Sequence, residues 1–508
     1  MLVLHSALFD FVTDDAFISF VYAKNLALHG QLVFNLGERV EGYTNFAWTV
    51  LLAGGIRCGL GPERLSVVLG TLCALGSMVY SANFFRRMRS DFFAPSLPAW
   101  ILALVPGFAC WAQGGLETQL FTLLCLLAIG EYVLALVAES SGHGPGFLWP
   151  GVAVGLAALT RPEGHLLFAV LVLHRLFDKA RRRAFLPTRQ DLVFVAVFLA
   201  FTLPHIAWRR HYYGYFVPNT FYVKSSGGKG TWAQGGYYLF AFLRDLKLWV
   251  LLALYGLGFL RPPPEPHVGY RLVGEVMLFW SLPFVLYVAS VGGDFMGLYR
   301  FVMPLGPLWV WCGVLGVDRL QHGLKILRHG VWLLLLLHGM NTVFVDRHAL
   351  TFIGADRGID TPGFLRHYTN DRIAIGKWLG QVVKPDDYQV VGGAGAQVYY
   401  AGIRALDSYG LSDAYVAHRV AARSIRPGHQ KFAPLEYVLS VKPTILTYNV
   451  YRIGHQPYQP TPQEEAMWKS RGFHYVSAQI PGLSQPYYSF LKRIDRELGP
   501  FGRLAPSR

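Results

Sequence analysis

Charge is scarce in this chain of 508 residues: Asp, Glu, Lys and Arg together make up only 15% of it, against roughly 25% in an ordinary soluble domain. Acidic residues are the scarcer kind, 31 against 46 basic ones. A chain that is also 53% hydrophobic can bury ample apolar area, which excludes disorder over most of its length. Cysteine is scarce as well. Cys58, Cys73, Cys110, Cys125 and Cys312 lie scattered in or beside apolar runs, which excludes a disulfide framework and a cysteine-based metal motif. The Gly-rich stretch Gly392-Gly393-Ala394-Gly395 lacks the full dinucleotide fingerprint and reads as a tight turn rather than a nucleotide site.

What is present is a series of apolar runs of helical length. They fall near 63–85, 95–111, 116–138, 147–160, 164–177, 191–208, 246–261, 271–291, 299–316 and 330–345. A multi-spanning α-helical membrane protein of about 10–11 transmembrane helices is expected over residues 1–345. The net charge of +15 does not point to nucleic acid, because the basic residues sit in short turns between these runs. Arg86, Arg87 and Arg89 form one cluster, Arg175, Lys179, Arg181, Arg182, Arg183 and Arg189 a second, and Arg319, Lys325 and Arg328 a third. The positive-inside rule makes these turns cytoplasmic. The turns at 112–118 and 292–298 hold no Lys or Arg and face outward.

By the same alternation residues 14–62 form a first outer loop, and Tyr43 to Leu60, although apolar, reads as an interfacial or re-entrant helix. Met1 to Val12 is too short to span, so either the first helix is short or the start lies upstream. Residues 346–508 read as an outer α+β domain, with strand-like stretches at 388–391, 444–448 and 475–480 and a helix-like one at 371–382.

The few charges on the outer face are the candidates for chemistry. Asp14 and Asp15 stand where the chain leaves the membrane; mutual repulsion and burial raise a carboxyl pKa, as a general base requires, while the plainer alternative is an N-cap on the helix through Tyr22 to Leu28. Two adjacent carboxylates could also hold a divalent cation; no cluster has metal-ligand spacing, and no other cofactor is expected. Glu117 opens a helix, where a negative charge is favourable in itself. Arg161 and Glu163 interrupt an apolar stretch, as functional groups or as a mutual salt bridge. The loop 211–224 is dense in aromatics, an interfacial belt or a surface for sugar and isoprenoid, with Asn219 within it and Lys224 placed for a phosphate. Asp294 precedes Arg300, which could grip a lipid phosphate or snorkel to the headgroups.

Asp14-Asp15-Ala16-Phe17-Ile18, Gly37-Glu38-Arg39-Val40-Glu41-Gly42-Tyr43-Thr44-Asn45, Thr160-Arg161-Pro162-Glu163-Gly164, Pro218-Asn219-Thr220-Phe221 and Gly293-Asp294-Phe295 together resemble the GT-C membrane glycosyltransferases related to the mycobacterial terminal β-(1→2)-arabinofuranosyltransferase. Asp407-Ser408-Tyr409-Gly410-Leu411-Ser412-Asp413 also looks like that group. The resemblance implies a bacterial inner-membrane enzyme with its C-terminal domain in the periplasm. It would transfer a sugar, arabinofuranose or another pentose or hexose, from a polyprenyl-phosphate donor to a cell-envelope glycan or lipid. It also implies that Asp14 is catalytic, with Asp15 orienting the acceptor or sharing the proton. Glu117, Arg161, Glu163, Asn219, Lys224, Asp294 and Arg300 would then bind substrate or its phosphate. A transporter or flippase of lipid-linked glycans is the alternative, but the internal helix repeats common in transporters are not seen.

Overall fold

In the computed structural model the described residues are 1–500 except 89–93, 141–145, 225–227, 261–267, 322–326, 425 and 449–450. Arg89, Lys325 and the tail beyond 500 therefore lie outside them. The first part of the chain is helical: α1 (Leu2–Ala7), α2 (Asp14–His29), α3 (Phe46–Arg57), α4 (Pro62–Met88), α5 (Leu97–Ala103), α6 (Pro106–Gln113), α7 (Thr118–Ser140), α8 (Leu148–Thr160), α9 (Glu163–Arg181), α10 (Arg189–Tyr213), α11 (Asn219–Lys224), α12 (Lys229–Leu246), α13 (Trp249–Phe259), α14 (Val268–Ser290), α15 (Gly306–Gln321) and α16 (Leu327–Thr351). Among the described residues five helical segments are long and apolar enough to cross a bilayer: α4, α7, α10, α14 and the run Arg300–Leu320.

Several expected spans are shorter or broken. The run 95–111 is two helices, because Pro106 stands at the first turn of α6 and lacks the N–H that would continue α5. The run 299–316 opens as a 3₁₀ turn over Arg300–Leu305 that contains Pro304. The run 246–261 yields only the 11 residues of α13, too few to span. Instead α13 lies against α15 at backbone contact: a Cβ on Gly258 would meet the Gly316 Cα at 3.0 Å, and one on Gly313 the Leu251 Cα at 3.1 Å. Without a hydrophobic drive between helices in lipid, such small-residue contacts carry the packing. Trp311 anchors the interior, stacked on Phe84 at 4.1 Å and donating to the Ser81 hydroxyl at 2.8 Å.

After Thr351 a two-stranded ribbon, β1 (Ala355–Asp356) and β2 (Ile359–Asp360), leads into α17 (Pro362–Val382), nine residues longer at its start than the expected helix. A mixed sheet follows, in the order β4 (Arg404–Asp407), β3 (Tyr388–Val391), β5 (Ile445–Leu446), β8 (Tyr487–Arg493) and β6 (Arg452–Gly454), with β7 (Phe473–Gln479) on the other edge of β8. β3 runs parallel to β4 and β5, joined to β4 through the short helix α18 (Ala396–Ala401).

The sheet part is locked to the first loop. The Asn35 side chain exchanges two hydrogen bonds, each 3.0 Å, with the backbone of Ala405, Glu38 pairs with Arg404, and Asn219 N donates to Glu41 O at 2.9 Å. The ribbon β1–β2 is joined to the loop after α14, where Gly297 N donates to Asp360 O at 2.8 Å. These joints close a cavity between the helical bundle and the sheet.

Candidate functional site

The cavity has a volume of about 210 Å³, and Asp14, Asp15 and Lys224 line its bundle side. Phe295, Asp360, Tyr368, Gly393, Asp407, Tyr409, Arg426 and His429 are among its other walls. Neither aspartate caps α2. That position belongs to Thr13, which is itself fixed by its N–H to Gly114 O at 3.2 Å.

Asp14 instead serves another helix, 382 positions away: Ala396 N, at the start of α18, donates to Asp14 Oδ1 at 2.8 Å. The Gly-rich turn read from the sequence is what permits this approach. A Cβ on Gly395 would overlap the Asp14 carbonyl oxygen and stand 2.6 Å from Asp14 Cγ, and one on Gly393 would collide with the Tyr368 hydroxyl. Burial pushes the Asp14 carboxyl up, against the opposing pull of the Ala396 amide and of the Arg372 charge.

Asp15 is half-buried, and among the described residues no donor is bonded to it. Burial pushes its pKa up to about 7, opposed by the Arg300 charge and helped by Asp14. Lys224, open to the cavity, has its pKa lowered by burial, with Asp294 and Asp15 acting the other way. The site therefore pairs a carboxyl that titrates near neutrality with a cation that has no salt-bridge partner among the described residues.

The other expected residues divide into two groups. Asp294 and Arg300 pair with each other, Nη2 to Oδ2 at 2.8 Å, and Arg300 also lies over the Trp111 ring at 5.6 Å. The pair acts on the cavity through its field, since Arg300 is the largest charge opposing the Asp15 shift. Glu117, Arg161 and Glu163 form a buried triad behind the cavity: Arg161 donates to Glu117 at 2.7 Å and to Glu163 at 3.1 and 3.2 Å. The triad continues through Asn45 to Ser19 on α2. Arg161 thus faces two carboxylates and is not a free phosphate cation; the mutual salt bridge is the arrangement found. Asn219 is engaged elsewhere through its amide nitrogen. Its carboxamide donates to the carbonyls of Gly410, Leu411 and Asp413, at 2.9, 3.0 and 3.2 Å, so it holds the sheet part in place and has no N–H left for substrate.

Among the described residues no three His, Cys, Asp or Glu side chains converge on a metal position. A divalent ion at Asp14 and Asp15 would take its remaining oxygens from substrate and water.

Comparison with known proteins sets this geometry in context. The chain is 31% identical over 372 residues to the terminal β-(1→2)-arabinofuranosyltransferase of Mycobacterium tuberculosis, covering 65% of this chain and 56% of that protein. It is 25% identical over 397 residues to the enzyme of the same name from Corynebacterium glutamicum, covering 71% and 56%. The chain thus spans just over half the length of the curated relatives it matches. Residues 364–491 match a domain of unknown function, DUF8728. Among solved structures, apo ArnT from Cupriavidus metallidurans superposes with a TM-score of 0.60 at 14% identity, covering 97% of this chain and 96% of that one. The same protein bound to undecaprenyl phosphate superposes with a TM-score of 0.55 at 14% identity, covering 100% and 97%. This is a GT-C fold.

In this GT-C fold the sheet part supplies the walls that the sequence did not point to. Arg426 donates to Asp360 at 2.7 Å, and the His429 ring lies between Phe295 and Tyr409, at 5.0 and 4.5 Å. Asp407 accepts from Tyr409 N and Ser412 N at 2.9 and 3.1 Å, which shapes the turn that carries Tyr409. Only the segment Asp407 to Asp413 had a signal in the sequence, through the family resemblance.

Proposed function

We propose that the protein is a glycosyltransferase of the bacterial inner membrane. It moves a sugar from a polyprenyl-phosphate donor to a glycan or lipid acceptor at the periplasmic face, where the cavity and the sheet part lie. One observation carries the reading: in a cavity at the end of a membrane bundle, a carboxylate poised near neutrality faces a lysine, neither with an ion-pair partner among the described residues. The sequence relatives, both named as arabinofuranosyltransferases, support this class and favour a pentofuranose donor. The ArnT structure with undecaprenyl phosphate supports a polyprenyl carrier.

In this mechanism the acceptor hydroxyl oxygen attacks the anomeric carbon of the donor sugar. The bond between that carbon and the phosphate oxygen breaks, and polyprenyl phosphate leaves with the electron pair. Lys224 meets the developing charge on the phosphate, and Arg300 supports it from behind. The hydroxyl proton passes to the Asp14–Asp15 pair. Asp15 offers both oxygens and Asp14 keeps Oδ2 free of the Ala396 bond, so the proton belongs to the pair and not to one residue. The triad of Glu117, Arg161 and Glu163 holds α2 at the right depth through Asn45.

The test is transfer from radiolabelled polyprenyl-phosphate sugars, arabinofuranose first, in membranes carrying the wild type, D14N or D15N. The carboxamide oxygen introduced by D14N can still accept from Ala396 N, so this variant removes the base and keeps the contact to the sheet part. Wild-type transfer that survives in the D14N/D15N double variant would overturn the proposal.

A further inference from the structure

A second cavity, of about 280 Å³, lies at the opposite end of the bundle. α10 places it there: the helix reaches the first-loop side at Tyr213, which donates to Leu32 O at 2.5 Å, and the other end of this 25-residue helix is about 36 Å away. That end forms one wall of the cavity. Tyr132, Val172, Leu176, Phe185, Phe194 and Val195 give it an almost wholly apolar lining.

The mouth is built from charge. Arg175 donates to Asp191 and to Glu139, each at 2.7 Å, and Lys179 donates to Asp191 at 2.6 Å and to Leu186 O at 2.7 Å. Arg181 and Arg182 are held by Glu275 and Asp178. Arg183, on the turn between α9 and α10, and Arg189, the first residue of α10, are exposed and have no acidic partner among the described residues. Beside them Phe185 and Leu186 are 75% and 83% exposed, a pairing of apolar side chains and free guanidinium groups that suits a headgroup layer.

We infer that this cavity binds an anionic phospholipid of the leaflet opposite the sheet part, with one acyl chain between α9 and α10 and its phosphate on Arg183 and Arg189. The charge complementarity selects an anionic lipid over a zwitterionic one. The lining accounts for the chain, and Arg175 and Lys179 are already engaged by Glu139 and Asp191, which leaves Arg183 and Arg189 for the phosphate. This site is independent of the transfer reaction.

The full-length protein, placed in nanodiscs of phosphatidylcholine with or without phosphatidylglycerol, provides the test. Native mass spectrometry reads retained lipid and a thermal melt reads Tm. The expected result is retained phosphatidylglycerol and a Tm increase absent from pure phosphatidylcholine. R183S/R189S, which alters only exposed side chains, is expected to weaken retention roughly thirtyfold, the effect of two cations near an anionic surface. V172W is expected to abolish retention by filling the cavity while leaving both arginines. Equal retention of the two lipids, retention unchanged in both variants, or a Tm increase reproduced by inorganic phosphate in neutral nanodiscs would each overturn the inference.

Discussion

The two ends of the bundle handle charge in opposite ways. At the end away from the sheet part, Glu139, Arg175, Asp178, Lys179 and Asp191 belong to one paired network: each has an opposite charge within 2.9 Å. At the other end Asp15 and Lys224 face a shared cavity with neither an ion pair nor, for Asp15, any hydrogen bond among the described residues. Burial raises a carboxyl pKa wherever close cations and donors do not offset it: Asp191 has Arg175 and Lys179 against it, whereas Asp15 shows such a shift toward neutrality. Paired charge there would be stable and inert. The comparison separates charges that hold the fold from charges kept available for a reaction.

The largest effect expected is on the open end. D14N and D15N should each lower kcat by about 10³ or more, and the double variant should be little worse than either, because groups that act as a unit are not additive. Additive losses would show two separate roles.

Next comes the paired end. R175Q leaves Glu139 without its close cation and Asp191 with Lys179 alone, so stability should fall by about 2 kcal/mol while transfer by the surviving folded protein is unchanged. D15N should do the reverse and raise Tm at pH 8. The sign follows from the raised pKa: an unfolded carboxyl ionises near 3.9 and this one at about 7. Its cost to stability therefore appears as pH rises between those values and is complete above 7. A lowered Tm in D15N would erase the contrast between the ends.

K224Q should lower kcat by about 10², the usual size of one lost charge stabiliser, with a smaller change in KM. The smallest effect is the pH profile. Transfer should fall about tenfold per unit below pH 7, as the pair takes up its proton. A profile flat from pH 5 to 8 would place the base elsewhere.

The sequence made this contrast half visible. Asp14 and Asp15 are adjacent, Arg161 and Glu163 are two apart, and the basic turns are local runs, so short-range patterns were enough to find them. The fold class was also legible, since apolar length and charge parity are properties of single segments. The breaks at Pro106 and Pro304 were visible as residues, but an apolar run does not reveal which of its prolines ends a helix. What stayed hidden depends on partners far apart in the chain. The three carbonyls of 410–413 around the Asn219 amide could not be read from its local sequence. Asp360 reaches the cavity through the joint of its ribbon with the loop after α14, and Arg426 and His429 reach it because the sheet part docks on the bundle. The Gly392 to Gly395 turn was read correctly as a turn, but its purpose lies in α2.

The bond from Ala396 N to Asp14 also bears on when the protein becomes competent. The ribosome delivers Asp14 382 residues ahead of Ala396, with the whole helical bundle between them. A nascent protein held in the membrane before that point has its carboxylates without the wall that buries them, and so without the raised pKa. Under the proposed mechanism, such an intermediate lacks the buried base that transfer needs.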